Sequence, residues 1–103
     1  MDEQKEIEKL KAEGYDNVWA YEAEAGELDE EHSHDYDTKL VILKGAINIT
    51  SEMGGAITNM QYKVGSEVVI PRNKLHSAKA TAEGCRYIVA ERHYKLFRGG
   101  SKW

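Results

Sequence analysis

The chain has 103 residues, of which 41% are hydrophobic and 31% are charged, and its formal net charge is −4. This length accommodates one domain with a modest core and excludes two independently folded domains. The acidic balance argues against a general nucleic-acid-binding protein, so no nucleic-acid partner is expected.

The apolar residues are spread along the chain in short segments. No uninterrupted apolar run exceeds four residues, as in Leu40 to Leu43, whereas a membrane span needs about 20. Asp2, Glu3 and Lys5 stand where a secretion signal would be apolar. Cys85 is the single cysteine, which excludes an internal disulfide and is typical of a reducing compartment. We therefore expect a cytoplasmic protein with no membrane partner.

A short helix is the first predicted element. Residues 2 to 13 are rich in Glu, Lys, Gln and Ala, and Ile7 and Leu10 lie one helical turn apart. Gly14 then supplies a residue that commonly ends helices. The pattern predicts an N-terminal helix over 1–14 with a narrow apolar stripe.

Beyond the helix, short apolar runs alternate with turn residues. Strands are predicted at 17–24, 38–44, 46–51, 57–64, 67–70, 75–79 and 85–92. Because no second helix is present to connect parallel strands, the fold class is all-β, an antiparallel β-sandwich or jelly-roll barrel with a short N-terminal helix. The predicted domain spans 15–93. A tail at 94–103 adds an edge strand, docks on a second subunit or is disordered, and the sequence leaves these three alternatives open.

Two histidines separated by one residue, His32 and His34, precede the apolar run that begins at Leu40. In an extended strand such residues point to the same face and can bind one cation. A third histidine, His76, follows much later in the chain. Between Ala12 and Thr38 the sequence has ten acidic residues and no Lys or Arg, which we interpret as a solvated acidic surface.

The order of these residues resembles the two sequence motifs of the cupin family. Seven motif positions match, namely Gly26, His32, His34, Gly45, Gly65, Pro71 and His76. Three positions differ, with Thr38 in place of a glutamate, Asn73 in place of a glycine and Ala80 in place of an asparagine. The resemblance covers about residues 18–92 and implies a small barrel that holds a divalent metal ion within its mouth.

The resemblance also implies the ligand set, which is His32, His34 and His76. Three imidazoles leave coordination positions for water or substrate, as in catalytic sites. Imidazole suits several divalent transition metals, so Zn, Fe, Ni, Mn and Cu are not distinguished. With Thr38 in place of the carboxylate, the site would keep the full charge of the ion.

Five further side chains are candidates for lining the pocket or supporting the ligands, namely Asp37, Thr38, Gln61, Arg86 and Tyr87. Asp37 turns inward only if its strand carries a bulge, since regular alternation sends it to the face opposite Thr38. An exposed sheet face explains Gln61 equally well. Arg86 is a candidate anion anchor and Tyr87 a candidate hydrogen-bond donor, whereas Cys85 is expected to be a small buried hydrophobe.

Two functional hypotheses follow. The first is a small metal-dependent enzyme that acts on a small molecule, and the alternative is a non-catalytic small-molecule-binding or sensor domain. A storage or structural role is a third possibility, and the sequence does not separate the first two. Because Leu40 and Ile42 alternate with Val41 and Leu43, strand 38–44 is expected to be buried on both faces, which favours a homodimer.

Overall fold

The computed structural model describes residues 2–93, in which one helix precedes six β-strands. The elements are α1 (Glu3–Ala12), β1 (Asn17–Ala23), β2 (Leu28–His32), β3 (Asp37–Met53), β4 (Ala56–Lys63), β5 (Glu67–Ile70) and β6 (His76–Arg92). No helix within this described range is long and apolar enough to cross a membrane. The predicted tail at 94–103 lies outside the described residues, and the predicted division of the chain at residue 14 stays a prediction.

The strands form one antiparallel sheet built around the long strands β3 and β6. The hydrogen-bonded order is β1-β6-β3-β4, while β2 pairs with β6 and β5 pairs with β3. Each long strand therefore changes its outer partner along its length: β6 passes from β2 to β1, and β3 from β5 to β4. The predicted all-β antiparallel class with a short N-terminal helix is confirmed.

Two glycines bend the central strand pair instead of ending its strands. The sequence predicted four separate strands here, at 38–44, 46–51, 75–79 and 85–92. The register between β3 and β6 shifts on either side of Gly45, where φ is 75°. A Cβ at Gly45 would lie 2.2 Å from the carbonyl oxygen of Gly84, so this crossing requires glycine. The bulge lets β3 and β6 each continue through the bend as 17-residue strands.

The bulge also sets which side chains form the inner core. Ile42 and Ile47 are five residues apart, a spacing that would place them on opposite faces of a regular strand. Both nevertheless belong to one buried cluster, because the extra residues of the bulge change the alternation. The cluster also buries Cys85, and this burial raises the pKa of its thiol to about 11. Cys85 is therefore the small buried hydrophobe that the sequence predicted.

Helix α1 covers the opposite face of the sheet. Leu10, 3% exposed, packs with Val41, Ile88 and Ala90 in a second buried cluster. Asp2 caps the N-terminus of the helix, because its carboxylate accepts a hydrogen bond from the Lys5 backbone N–H at 3.1 Å. Both faces of the first half of β3 are thus buried, and the outer cover comes from the chain's own helix. The burial of strand 38–44 therefore gives no separate support to a homodimer.

Candidate metal centre

A cavity of about 510 Å³ lies on the face of the sheet opposite α1. Part of its wall is apolar and comes from Leu40, Ile47, Ile49, Ile70 and Val89. The remaining wall carries hydroxyl groups, carboxylates and the three motif histidines. A volume of this size suits a small-molecule ligand.

The fold brings His32, His34 and His76 together. One ring nitrogen of each residue lies within 4.8 Å of the others. The ring centroids are 4.3 Å apart for His32 and His76, 4.6 Å for His32 and His34, and 5.3 Å for His34 and His76. His32 ends β2, His76 begins β6, and the two residues are direct partners in the β2–β6 pairing. The antiparallel pairing is what joins two sequence motifs that are more than 40 residues apart.

Backbone carbonyls fix the tautomers of two of these histidines. His32 Nδ1 lies 2.6 Å from the Glu30 carbonyl oxygen, and His76 Nδ1 lies 2.9 Å from that of Lys74. Because a carbonyl only accepts, each Nδ1 carries the proton and donates it. The lone pair of each ring is then on Nε2, where a metal ion can bind.

His34 is held in its neutral form by its surroundings. Burial lowers its pKa, and the neighbouring His32 and His76 lower it further. Its ring stacks on Tyr36 with centroids 4.6 Å apart and an angle of 12° between the planes. The site thus offers three imidazole rings in one cavity, a donor set that fits a divalent transition metal.

Two of the other candidate residues line the cavity, namely Thr38 and Tyr87. Thr38 is 7% exposed, and its Oγ1 has no hydrogen-bond partner among the described residues. Burial raises the pKa of Tyr87 far above its usual value. The Tyr87 hydroxyl therefore stays protonated at all ordinary pH values and is available as a donor.

The remaining three candidates lie elsewhere. Asp37 accepts a hydrogen bond from the Arg72 backbone N–H at 2.9 Å, and the β3 register is regular around it, so no bulge turns it toward the cavity. Gln61 is exposed on β4 and does not line this cavity. Arg86 donates to Glu3 at 2.8 Å and to Glu22 at 3.2 Å, which ties β6 to α1 and β1. Arg86 therefore links the helix to the sheet and does not line the cavity.

Several acidic and aromatic residues of the cavity were not predicted. Glu91 accepts a hydrogen bond from Asn17 Nδ2 at 3.2 Å, and burial together with a hydrogen bond to Glu91 raises the pKa of Tyr36 to about 12. Glu27 accepts a hydrogen bond from the Tyr21 hydroxyl. Asp29 lines the cavity beside His32. The acidic stretch between Ala12 and Thr38 is the sequence feature that could have indicated acidic groups in the cavity, since it contains Glu27 and Asp29.

Comparison with known proteins identifies the fold. No protein-family model matches this sequence. The Bacillus subtilis oxalate decarboxylase superposes with a TM-score of 0.72 and 16% identity, over 88% of this chain and 25% of that chain. The Schizosaccharomyces pombe Cnp3 cupin domain superposes with a TM-score of 0.70 and 20% identity, over 81% of this chain and 59% of that chain. The chain therefore has the cupin fold, as its two motifs predicted.

A curated relative is similar in sequence as well. The nitrosourea synthase of Streptomyces achromogenes subsp. streptozoticus is 31% identical over 98 residues. The alignment covers 86% of this chain and 20% of the synthase. This chain thus corresponds to about a fifth of the length of that protein.

Proposed function

We propose that this chain is a small metal-binding cupin in which His32, His34 and His76 hold one divalent transition metal ion. The observation that carries this proposal is the convergence of three ring nitrogens within 4.8 Å in a cavity large enough for a small molecule. The orientation of His32 and His76 by backbone carbonyls supports it, because metal-binding histidines almost always donate their second nitrogen in this way. We further propose that the ion and the cavity together act on a small-molecule substrate.

The donor set accepts Zn, Fe, Ni, Mn or Cu. A bound ion would supply Lewis acidity toward a substrate oxygen or nitrogen atom. The oxalate decarboxylase of Bacillus subtilis, which shares the fold, has Mn(II) centres. Mn²⁺ is therefore the first ion to test, followed by Fe²⁺ and Zn²⁺.

The other residues of the cavity would bind and orient the substrate. The Tyr87 hydroxyl offers a hydrogen bond from a buried position. The Glu91 carboxylate is held in place by Asn17 and Tyr36, and accepts from a substrate N–H or O–H. Among residues 2–93, no Lys or Arg lines the cavity. The metal ion would therefore have to supply the positive charge that balances an anionic substrate.

A thermal-shift screen followed by a turnover assay tests this function. Chain loaded with Mn²⁺, Fe²⁺ or Zn²⁺ is screened against small oxoacids, sugars and thiols, and any stabilising compound is incubated with the protein and followed by mass spectrometry. We expect a compound that raises Tm with its concentration in the loaded wild type and is converted. The same compound should neither stabilise nor react with His76→Ala. Equal stabilisation and conversion by His76→Ala would contradict the proposal.

A non-catalytic binding or sensor function is the second candidate. The apolar part of the wall favours it, because apolar contacts bind a ligand without supplying an acid or a base. Stabilisation by a compound that is recovered unchanged would decide for this function and against the enzyme.

We also propose that the chain forms a homodimer through β4. Within the described residues β4 pairs with β3 alone, and its Ile57 and Met60 side chains are 77% and 52% exposed. An edge strand with exposed apolar side chains is suited to pairing with a second copy. Light scattering should give twice the 11.7 kDa chain mass, and a monomer at 100 µM would contradict the dimer.

A further inference from the structure

A carboxylate stands beside the histidine cluster at a position outside the motif. The Asp29 Oδ2 atom lies 3.7 Å from His32 Nε2. Nε2 is the atom that carries the lone pair, since His32 Nδ1 donates to the Glu30 carbonyl. Asp29 therefore approaches His32 on the side where the ion would bind.

A β-bulge places these two residues on the same side of β2. Asp29 and His32 are three residues apart, and a regular strand would send them to opposite faces. Asp29 is paired with Ala78 and His32 with His76, so three steps along β2 match two steps along β6. One residue of β2 is thus extra, as in a β-bulge, and both Asp29 and His32 line the cavity.

The other acidic residues near the site are already engaged by protein donors. Glu27 accepts from the Tyr21 hydroxyl and from the Glu24 backbone N–H. Glu91 accepts from Asn17, and Asp37 accepts from the Arg72 backbone N–H. Among the described residues, Asp29 is the cavity carboxylate that lies against a histidine of the cluster.

We infer that Asp29 is a fourth ligand of the metal ion and supplies, from β2, the carboxylate that Thr38 does not. Two ligand atoms bound at about 2.1 Å to one ion lie roughly 3.0–3.5 Å apart. The 3.7 Å separation is close to this range, and the Asp29 side chain is 65% exposed and free to rotate inward. The carboxylate would neutralise one of the two positive charges that three neutral imidazoles leave on the ion. This inference rests on the proposed metal site.

The test compares Asp29→Asn with Asp35→Asn. Both variants lose one carboxylate from an exposed aspartate of the same acidic segment, but Asp35 does not line the cavity. Titration calorimetry with Mn²⁺ and Zn²⁺, and the visible absorption spectrum of Co²⁺-loaded protein, report the ligand set without any activity. We expect Asp29→Asn to weaken metal binding by about tenfold or more and to change the Co²⁺ spectrum, with Asp29→Glu restoring part of the affinity. Asp35→Asn should behave as the wild type.

The possible results distinguish a failure of Asp29 as a ligand from a failure of the metal site itself. If Asp29→Asn binds both ions as tightly as Asp35→Asn with an unchanged spectrum, Asp29 is only a neighbour of His32 and the inference fails, while the three-histidine site stands. If the wild type itself binds neither ion, the proposed function fails together with the inference. Circular dichroism of each variant shows that a loss of affinity is not a loss of folding.

Discussion

His32 and His76 face each other across the β2–β6 pair, with their ring centroids 4.3 Å apart. Each ring donates from Nδ1 to a carbonyl of the residue two positions earlier, Glu30 and Lys74 respectively. The backbone therefore orients both rings before any ion is present. Such pre-organisation lowers the cost of binding, because few side-chain rotations have to be lost when the ion enters.

The Thr38 hydroxyl gives the first prediction. It is buried with no hydrogen-bond partner among the described residues, and an unpaired buried hydroxyl costs about 1–3 kcal/mol. Thr38→Val keeps the shape and removes this cost, so we expect the metal-free variant to unfold at higher urea concentration than the wild type. The matched control is Thr50→Val, which removes the acceptor of the Asn59 hydrogen bond at 3.0 Å and should lower stability. A Thr38→Val variant that loses more stability than Thr50→Val would show that the hydroxyl is paired.

The bend at Gly45 gives the second prediction. Gly45→Ala puts a Cβ 2.2 Å from the Gly84 carbonyl oxygen at a φ of 75°, so it should lower the unfolding free energy by about 3 kcal/mol or more. Gly55→Ala has a similar φ of 84° but meets no atom within 4 Å, and should cost only about 1–2 kcal/mol. Urea unfolding of both variants checks the contrast, and equal losses would mean that the bend does not require glycine.

The sequence predicted the class of fold from local patterns, and the three histidines from the resemblance of two separate segments to the cupin motifs. Alternating apolar residues reveal strands with one buried face. The sequence predicted His32 and His34 on one strand face, whereas β2 ends at His32 and His34 lies in the connection to β3. Strand β2 was missed because all but the last of its five residues are exposed, so Leu28 to His32 shows no apolar alternation. The sequence predicted that strands end at Gly45 and Gly84, whereas the structure has a bend there. Both glycines have a positive φ, a conformation that occurs in β-bulges as well as in turns.

Asp29 and Glu91 could not be placed from the sequence for a different reason. Asp29 reaches the cavity only through a register shift in β2, and such a shift leaves no mark in residue type. Glu91 lies opposite Thr38 in the β3–β6 pairing, a relationship that depends on the register of two strands more than 50 residues apart. Cross-strand neighbours of this kind can be identified only when the pairing of the strands is known.

The contact between α1 and the sheet gives the third prediction. Leu10 is 3% exposed against Val41 and Ile88, so Leu10→Ala should lower the unfolding free energy by about 2–4 kcal/mol. Metal affinity measured by calorimetry should not change, because α1 lies on the face opposite the cavity. Lys11→Ala, at an exposed position of the same helix, serves as the control. Loss of metal binding in folded Leu10→Ala would contradict this separation of the two faces.

The fourth prediction concerns pH. Hydrogen bonds from the backbone and side chain of His93 lower the pKa of Asp16 from 3.8 to about 2. The native state therefore binds this proton less readily than the unfolded state, so the contribution is complete above about pH 4 and is lost as pH falls toward 2. The stability difference between wild type and Asp16→Asn, from urea unfolding, should shrink over this range. A difference that stays constant from pH 5 to pH 2 would show that Asp16 is not stabilised as a carboxylate.

The central claim is that His32, His34 and His76 together bind one metal ion. Its most direct test is the metal content per chain, measured by elemental analysis after equilibration with Mn²⁺ or Zn²⁺ and removal of free ion. The wild type should hold one ion per chain, and so should His93→Ala, which removes a histidine outside the cluster. His76→Ala should hold less than about a tenth of that amount. Equal metal content in His76→Ala and His93→Ala would contradict the account.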